Sequence, residues 1–175
     1  GGGQGWVCVG AGAGARARRG GVPVRRVRSG EGVFRASGPT SGRSMAVKIG
    51  GTDDGGVAAA EAELRCQGGA FAGSPVEMGA MTAFACYDLE NVKVVGYDVV
   101  TNRPKQAAYR APGAPMSAFA VESVVDELAE RIGMDGIDLR LATAAQEGTK
   151  SSSGHTFGPI GPVQSLAAAT AHPNY

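Results

Sequence analysis

The hydrophobic pattern of this chain changes period once, from two to between three and four, and that change constrains the fold more than any other feature. Met45, Val47 and Ile49 alternate with Ala46 and Lys48, the pattern of a half-buried strand. Thr52-Asp53-Asp54-Gly55-Gly56 is a turn signal, so a hairpin is expected. After it Ala60, Ala62, Leu64 and Cys66 alternate with Glu61, Glu63, Arg65 and Gln67, which places the polar groups on one face. Gly68, Gly69, Gly73, Pro75 and Gly79 are then expected to break regular structure. Two further strands are expected around Val92 to Val95 and Tyr97 to Val100, closed by a turn at Thr101-Asn102-Arg103-Pro104.

From Pro115 the pattern becomes helical. Ala118, Val121, Val125, Leu128 and Ile132 form an apolar stripe, with Glu122, Asp126, Glu127, Glu130 and Arg131 largely off it. Gly133 is a helix stop, Asp135 a cap for a second helix from about Gly136, and Val163 to Ala171 a weaker helical stretch. Strands followed by helices predict an α+β fold.

The first part of the chain follows neither period. Up to about Gly32 it is built almost wholly from Gly, Ala, Arg and Val. We read residues 1–32 as a poorly structured segment, whose GC-rich codon usage also fits translation out of frame, and residues 33–175 as the ordered part. The 29 glycines, more than twice an ordinary share, point the same way. The chain begins with Gly rather than Met, so upstream sequence is expected.

Charge and cysteine usage exclude several classes. A net charge of +1 gives no global field toward nucleic acid or an anionic membrane. Arg16, Arg18, Arg19, Arg25, Arg26 and Arg28 could form a basic nucleic-acid-binding arm, but Trp6 is the only aromatic among them, so nucleic acid is not the expected partner. No apolar run suits a membrane span and no secretory leader is recognisable, so the expected location is the cytoplasm. Cys8, Cys66 and Cys86 lack paired spacing and are expected to be buried thiols. His155 and His172 have no second ligand at metal spacing. Met45, Met78, Met81, Met116 and Met134 are expected to fill core.

Several stretches carry a more specific signal. Ala107-Ala108-Tyr109-Arg110-Ala111-Pro112-Gly113-Ala114-Pro115 precedes Glu122-Ser123-Val124-Val125-Asp126-Glu127-Leu128-Ala129, and a third stretch runs from Gly133 to Arg140. Upstream lie Tyr87-Asp88-Leu89-Glu90-Asn91-Val92 and Thr101-Asn102-Arg103-Pro104. This order resembles the large molybdopterin-binding subunit of the xanthine dehydrogenase and aldehyde oxidase family of molybdenum hydroxylases. There an "A-[FY]-R-G-x-G-x-P" loop leads into "E-x-x-[ML]-D-E-[LI]-A" and "G-[ML]-D-P-x-[ED]-L-R". The resemblance covers roughly residues 34–175.

The resemblance implies part of a cofactor-binding domain in a larger enzyme, and a reaction that hydroxylates an aldehyde or N-heterocycle with oxygen from water. The implied cofactor is a molybdenum-pyranopterin, either molybdopterin or molybdopterin cytosine dinucleotide. Iron-sulfur clusters and FAD are implied on partner subunits or domains, beside a small-molecule substrate. Arg110 matches the family's loop arginine beside the metal centre, where a rigid guanidinium suits substrate orientation or charge stabilisation. Bare sequence favours a surface arginine, and the loop match reverses that preference. Ala108, Tyr109, Arg110, Ala111 and Gly113 are the implied cofactor-binding loop. The family's general base is a distal glutamate, so an isolated chain of 175 residues is expected to be inactive.

Some positions depart from the family. Gly3, Gln4 and Gly5 match a "GGGFGGK" loop only in part: Gln4 replaces the aromatic, Trp6 and Val7 replace glycine and lysine, and Cys8 falls where purine oxidisers carry glutamate. Purine oxidation is therefore not expected. Ala111 stands where copper-containing carbon monoxide dehydrogenases place cysteine, Gly136 where proline is usual and Thr143 where asparagine is common. A non-catalytic remnant of the subunit is the alternative these departures suggest. Glu122 and Asp126, one helical turn apart, suit a solvated face or a supporting role equally.

Overall fold

A computed structural model describes residues 6–36, 38–52, 54–106 and 110–175, without the side chains of residues 6–9, 34 and 36. Its elements are α1 (Trp6–Gly20), α2 (Gly30–Ala36), β1 (Arg43–Gly51), β2 (Val57–Gly69), α3 (Val76–Thr82), β3 (Val92–Val100), α4 (Ala114–Ile132), α5 (Gly136–Thr143) and α6 (Pro162–Thr170). The three strands form one sheet in the order β1-β2-β3, and the architecture is α+β. Two compact units are distinguishable. One takes in the chain up to Arg43 with Arg65–Val76 and Tyr97–Pro112; the other holds Ser44–Leu64, Glu77–Gly96 and Gly113–Tyr175.

The expected hairpin is present. Thr52 N donates to Gly56 O at 2.8 Å and Gly55 N to Thr52 O at 3.0 Å, closing the turn between β1 and β2. Ala60, Ala62, Leu64 and Cys66 are buried, as the alternation requires. The link to β3 is of another kind. Ala60 N donates to Asn91 O and Thr101 N to Gly69 O, so β2 and β3 advance together, in parallel, with α3 in the connection between them.

Four local expectations need correction. The break expected over residues 68–79 is shorter than that: the chain is irregular over residues 70–75, with Gly73 and Pro75, but β2 continues to Gly69 and α3 contains Gly79. The two strands expected on either side of Gly96 are the single strand β3, because continuous pairing carries the backbone past the glycine. Cys86 is exposed, although Cys66 is buried as expected; the Cys8 side chain lies outside the described residues. Met78 and Met81 are 43% and 42% exposed, whereas Met134 packs against the core.

Regular structure also begins earlier than expected, since α1 and the start of α2 lie within residues 1–32. Alanine and arginine stand at the favourable end of the helix scale, and Arg18 and Arg19 in the last turn of α1 complement its dipole.

The core lies in the second unit, where α4 covers the sheet. Val121, Val125 and Ala129 pack with Ala60, Ala62, Phe84, Tyr87 and Leu139. Each buried valine contributes about 1.5–2 kcal/mol, more than the few tenths that helix propensity supplies, so the stripe rather than composition fixes α4. Ala118, expected on that stripe, is exposed, and Ser117 takes the inward position. Gly133 ends α4 in a left-handed cap. Asp135 starts α5 as expected, its side chain accepting from Ile137 N at 2.7 Å and Asp138 N at 3.3 Å. The C-terminal helix runs one residue ahead of the expected span.

Candidate cofactor-binding loop

The segment Arg110–Gly113 leads into the N-terminus of α4. Arg110 and Ala111 are exposed, whereas Gly113 is buried. Ala111 has φ 54°, the one non-glycine residue with positive φ among the described residues, and Gly113 has φ 92°. Gly113 caps α4 through its backbone alone: its carbonyl accepts from Met116 N and Ser117 N, each at 3.2 Å. No acidic residue stands in the first turn, so the partial positive charge of the helix end is not neutralised there.

Of the other residues singled out in the sequence, Gly3, Gln4, Gly5, Ala108 and Tyr109 lie outside the described residues. The structure therefore brings together Arg110, Ala111 and Gly113 on one short segment. Within the second unit, Gly113 turns the backbone through positive φ at a helix N-terminus without carboxylates, an end whose free amides and dipole suit an anionic group. Among the described residues no three His, Cys, Asp or Glu side chains converge as metal ligands.

Behind the segment, α4 is anchored to α5 by a charged network. Glu122 accepts from Tyr87 Oη at 2.7 Å through one carboxylate oxygen and from Arg140 Nε at 2.8 Å through the other. Arg140 Nη1 also reaches Asp126 Oδ1 at 2.7 Å and Gly136 O at 3.0 Å. Burial first, then the bond to Glu122, pushes the Tyr87 phenol well above its ordinary value, so it stays a donor. Glu122 and Asp126 thus support α4 rather than forming only a solvated face. The signal for this was their one-turn spacing, but their partner Arg140 stands outside any local window.

In the first unit, the loop after β2 is gathered by Lys105. Its Nζ donates to Phe71 O, Ala72 O and Gly73 O at 3.2, 2.8 and 2.8 Å. Asp98 accepts from Gly73 N at 2.6 Å and Ser74 N at 3.1 Å, and these bonds hold its carboxyl below the ordinary range. Gly69 is required here, because at φ 82° a Cβ would lie 2.3 Å from Pro104 O. Sequence reading expected only irregular chain in this region.

Comparison with known proteins places these features in a family. Residues 2–144 match the model of the molybdopterin cofactor-binding domain. The nicotinate dehydrogenase large molybdopterin subunit of Eubacterium barkeri is 31% identical over 151 residues, covering 84% of this chain and 36% of that protein. The aldehyde oxidoreductase of Megalodesulfovibrio gigas is 34% identical over 121 residues, covering 67% of this chain and 13% of that one. Among solved structures, the aldehyde oxidoreductase from Desulfovibrio gigas superposes with a TM-score of 0.71 at 29% identity, over 79% of this chain and 15% of that one. The carbon monoxide dehydrogenase from Oligotropha carboxidovorans, at 21% identity and a TM-score of 0.76 over 94% of this chain and 22% of that one, shares the fold. The chain thus spans about a third of the first relative and less of the others, and it belongs to the molybdopterin cofactor-binding domain family.

Proposed function

We propose that this chain is part of the large, molybdenum-cofactor-binding subunit of a hydroxylase that oxidises an aldehyde or an N-heterocycle with oxygen taken from water. The observation that carries the reading is the family match, which runs through the Arg110 loop and on across α4 and α5. The names of its relatives include an aldehyde and a nicotinate oxidoreductase, which is why both substrate classes are retained.

In this reading Ala108, Tyr109, Arg110, Ala111 and Gly113, with Gly3, Gln4 and Gly5, hold the pyranopterin, either molybdopterin or its cytosine dinucleotide. When bound, that group supplies the redox chemistry by which oxygen from water reaches the substrate carbon. The chain contributes position and electrostatics. Arg110 orients the substrate and stabilises negative charge developing on it, and the Ala111–Gly113 backbone comes close to the ligand because it turns through positive φ. Iron-sulfur clusters and FAD, proposed on partner subunits or domains, would serve as the electron acceptors. The proton-accepting glutamate is expected from another part of the enzyme, so the isolated chain should not turn over.

The boundary at residue 33 belongs to the same proposal, because the departures at Gln4, Trp6, Val7 and Cys8 precede it and the matching loop and helices follow it. Those departures also favour a second reading, a non-catalytic remnant. Peptide mass spectrometry of the natural protein tests the frame of residues 1–32. The proposed location is the cytoplasm; among the described residues no helix is long and apolar enough to cross a membrane.

The test of function is turnover of aldehydes and N-heterocycles, in heavy-oxygen water, by the longest gene product that contains this chain, purified with its partners. Label in the hydroxylated product is expected. Product labelled from dioxygen instead, or none from a fully metal-loaded enzyme, contradicts the proposal.

A further inference from the structure

We infer that Thr82 and Ser117 are positioning residues for the exit of the cofactor loop: a hydroxyl pair that pins Gly113, at the start of α4, against α3. The inference rests on the proposed function for its purpose but on separate contacts for its geometry.

Three observations meet at Gly113. Ser117 is fully buried, and its Oγ lies 3.3 Å from Gly113 O, 3.1 Å from Ala114 O and 3.3 Å from Thr82 Oγ1. Thr82 ends α3, and its hydroxyl has two acceptors in reach, Met78 O at 2.7 Å and Ser117 Oγ at 3.3 Å; when it donates to Ser117, the single Ser117 proton is free for Gly113 O, and the relay runs from Thr82 through Ser117 to Gly113. One turn earlier, a Cβ on Gly79 would stand 3.6 Å from Gly113 O and 3.7 Å from its Cα, so the backbones of α3 and the loop exit are in van der Waals reach.

These contacts matter because Gly113 is held at φ 92° and caps α4 without any side-chain bond of its own. The Gly113 carbonyl direction sets the start of α4. The hydroxyl pair and the Gly79 contact tie that carbonyl to a second element. The buried Ser117 hydroxyl is satisfied here by the carbonyls of Gly113 and Ala114 together with Thr82, so a polar side chain is accommodated one position from the expected apolar stripe.

The test is amide hydrogen exchange across residues 111–117 in the gene product that contains this chain, with and without cofactor, for wild type, Thr82→Val, Thr82→Ser and Ser117→Ala. Thr82→Val keeps the shape and removes the hydroxyl; Thr82→Ser keeps the hydroxyl. Thr82→Val and Ser117→Ala should exchange about fivefold faster in this segment, the effect of one lost hydrogen bond, and Thr82→Ser should restore the wild-type rate. Leu139→Val, a core change on α5, is the control for general destabilisation and should leave the segment unaffected. In loaded protein the two faster variants should also release molybdenum faster on dialysis. Wild-type exchange in both, or no rescue by Thr82→Ser, overturns the pinning role, and unchanged metal release overturns its link to the cofactor. If wild type binds no molybdenum while the exchange differences persist, the proposed function fails and the pinning contact stands.

Discussion

Ala111 and Gly113 stand on either side of Pro112 with φ of 54° and 92°, so the chain enters α4 through two positive-φ residues of which only one is glycine. An alanine in this region costs roughly 1–2 kcal/mol, and the family loop has glycine at the position matched by Ala111. Replacing it tests whether the strain is real.

Ala111→Gly should be neutral or stabilising by up to about 1 kcal/mol, since relief of φ is partly offset by the greater freedom of glycine in the unfolded chain. Ala111→Val should destabilise by more than about 1 kcal/mol, because a β-branched residue is poorly accommodated there. Urea unfolding of both variants decides the matter. Equal midpoints would contradict the observed backbone.

Arg140→Met should lower stability by about 1–2 kcal/mol. Arg140 is 16% exposed at its side chain and holds Glu122 at 2.8 Å, but Glu122 is itself 38% exposed, which reduces the 3–5 kcal/mol expected of a fully buried pair. Glu122→Gln should cost less, because its amide oxygen still accepts from Tyr87 Oη or Arg140 Nε. Equal losses in the two variants would contradict this assignment.

Asp98 gives an acid-sensitive loop. Its carboxyl is held below the ordinary value by the amides of Gly73 and Ser74, so its stabilising contribution is present above the ordinary carboxylate range and lost as the pH falls through the lowered value. Amide exchange in residues 71–74 should therefore accelerate in the wild type below about pH 4, beyond the intrinsic pH dependence, and Asp98→Asn should abolish that step. A step that survives in Asp98→Asn would assign it elsewhere.

Much of the fold was legible because burial imposes a period. Met45, Val47 and Ile49, then Ala60 to Cys66, then Val121, Val125 and Leu128 mark their elements, since one face of each meets the core. Parallel pairing of β2 and β3 was not legible, because it depends on partners some thirty residues apart, and Gly96 reads locally as a break. The proposal for Arg110 and Gly113 came from their resemblance to a family loop. Thr82 and Ser117 were not legible: 35 residues separate them, and each reads alone as an ordinary polar position. The helix over Trp6–Gly20 escaped a periodicity test because alanine and arginine favour helix without marking a buried face.

The central claim is that the domain holds a molybdenum cofactor, and its most direct test is molybdenum and pterin per chain in the natural gene product purified with its neighbouring subunits. The expected result is about one molybdenum with one pterin per large subunit, falling in Gly113→Val, whose side chain is unfavourable at φ 92°. Neither metal nor pterin, in a host that loads an active relative, would contradict it.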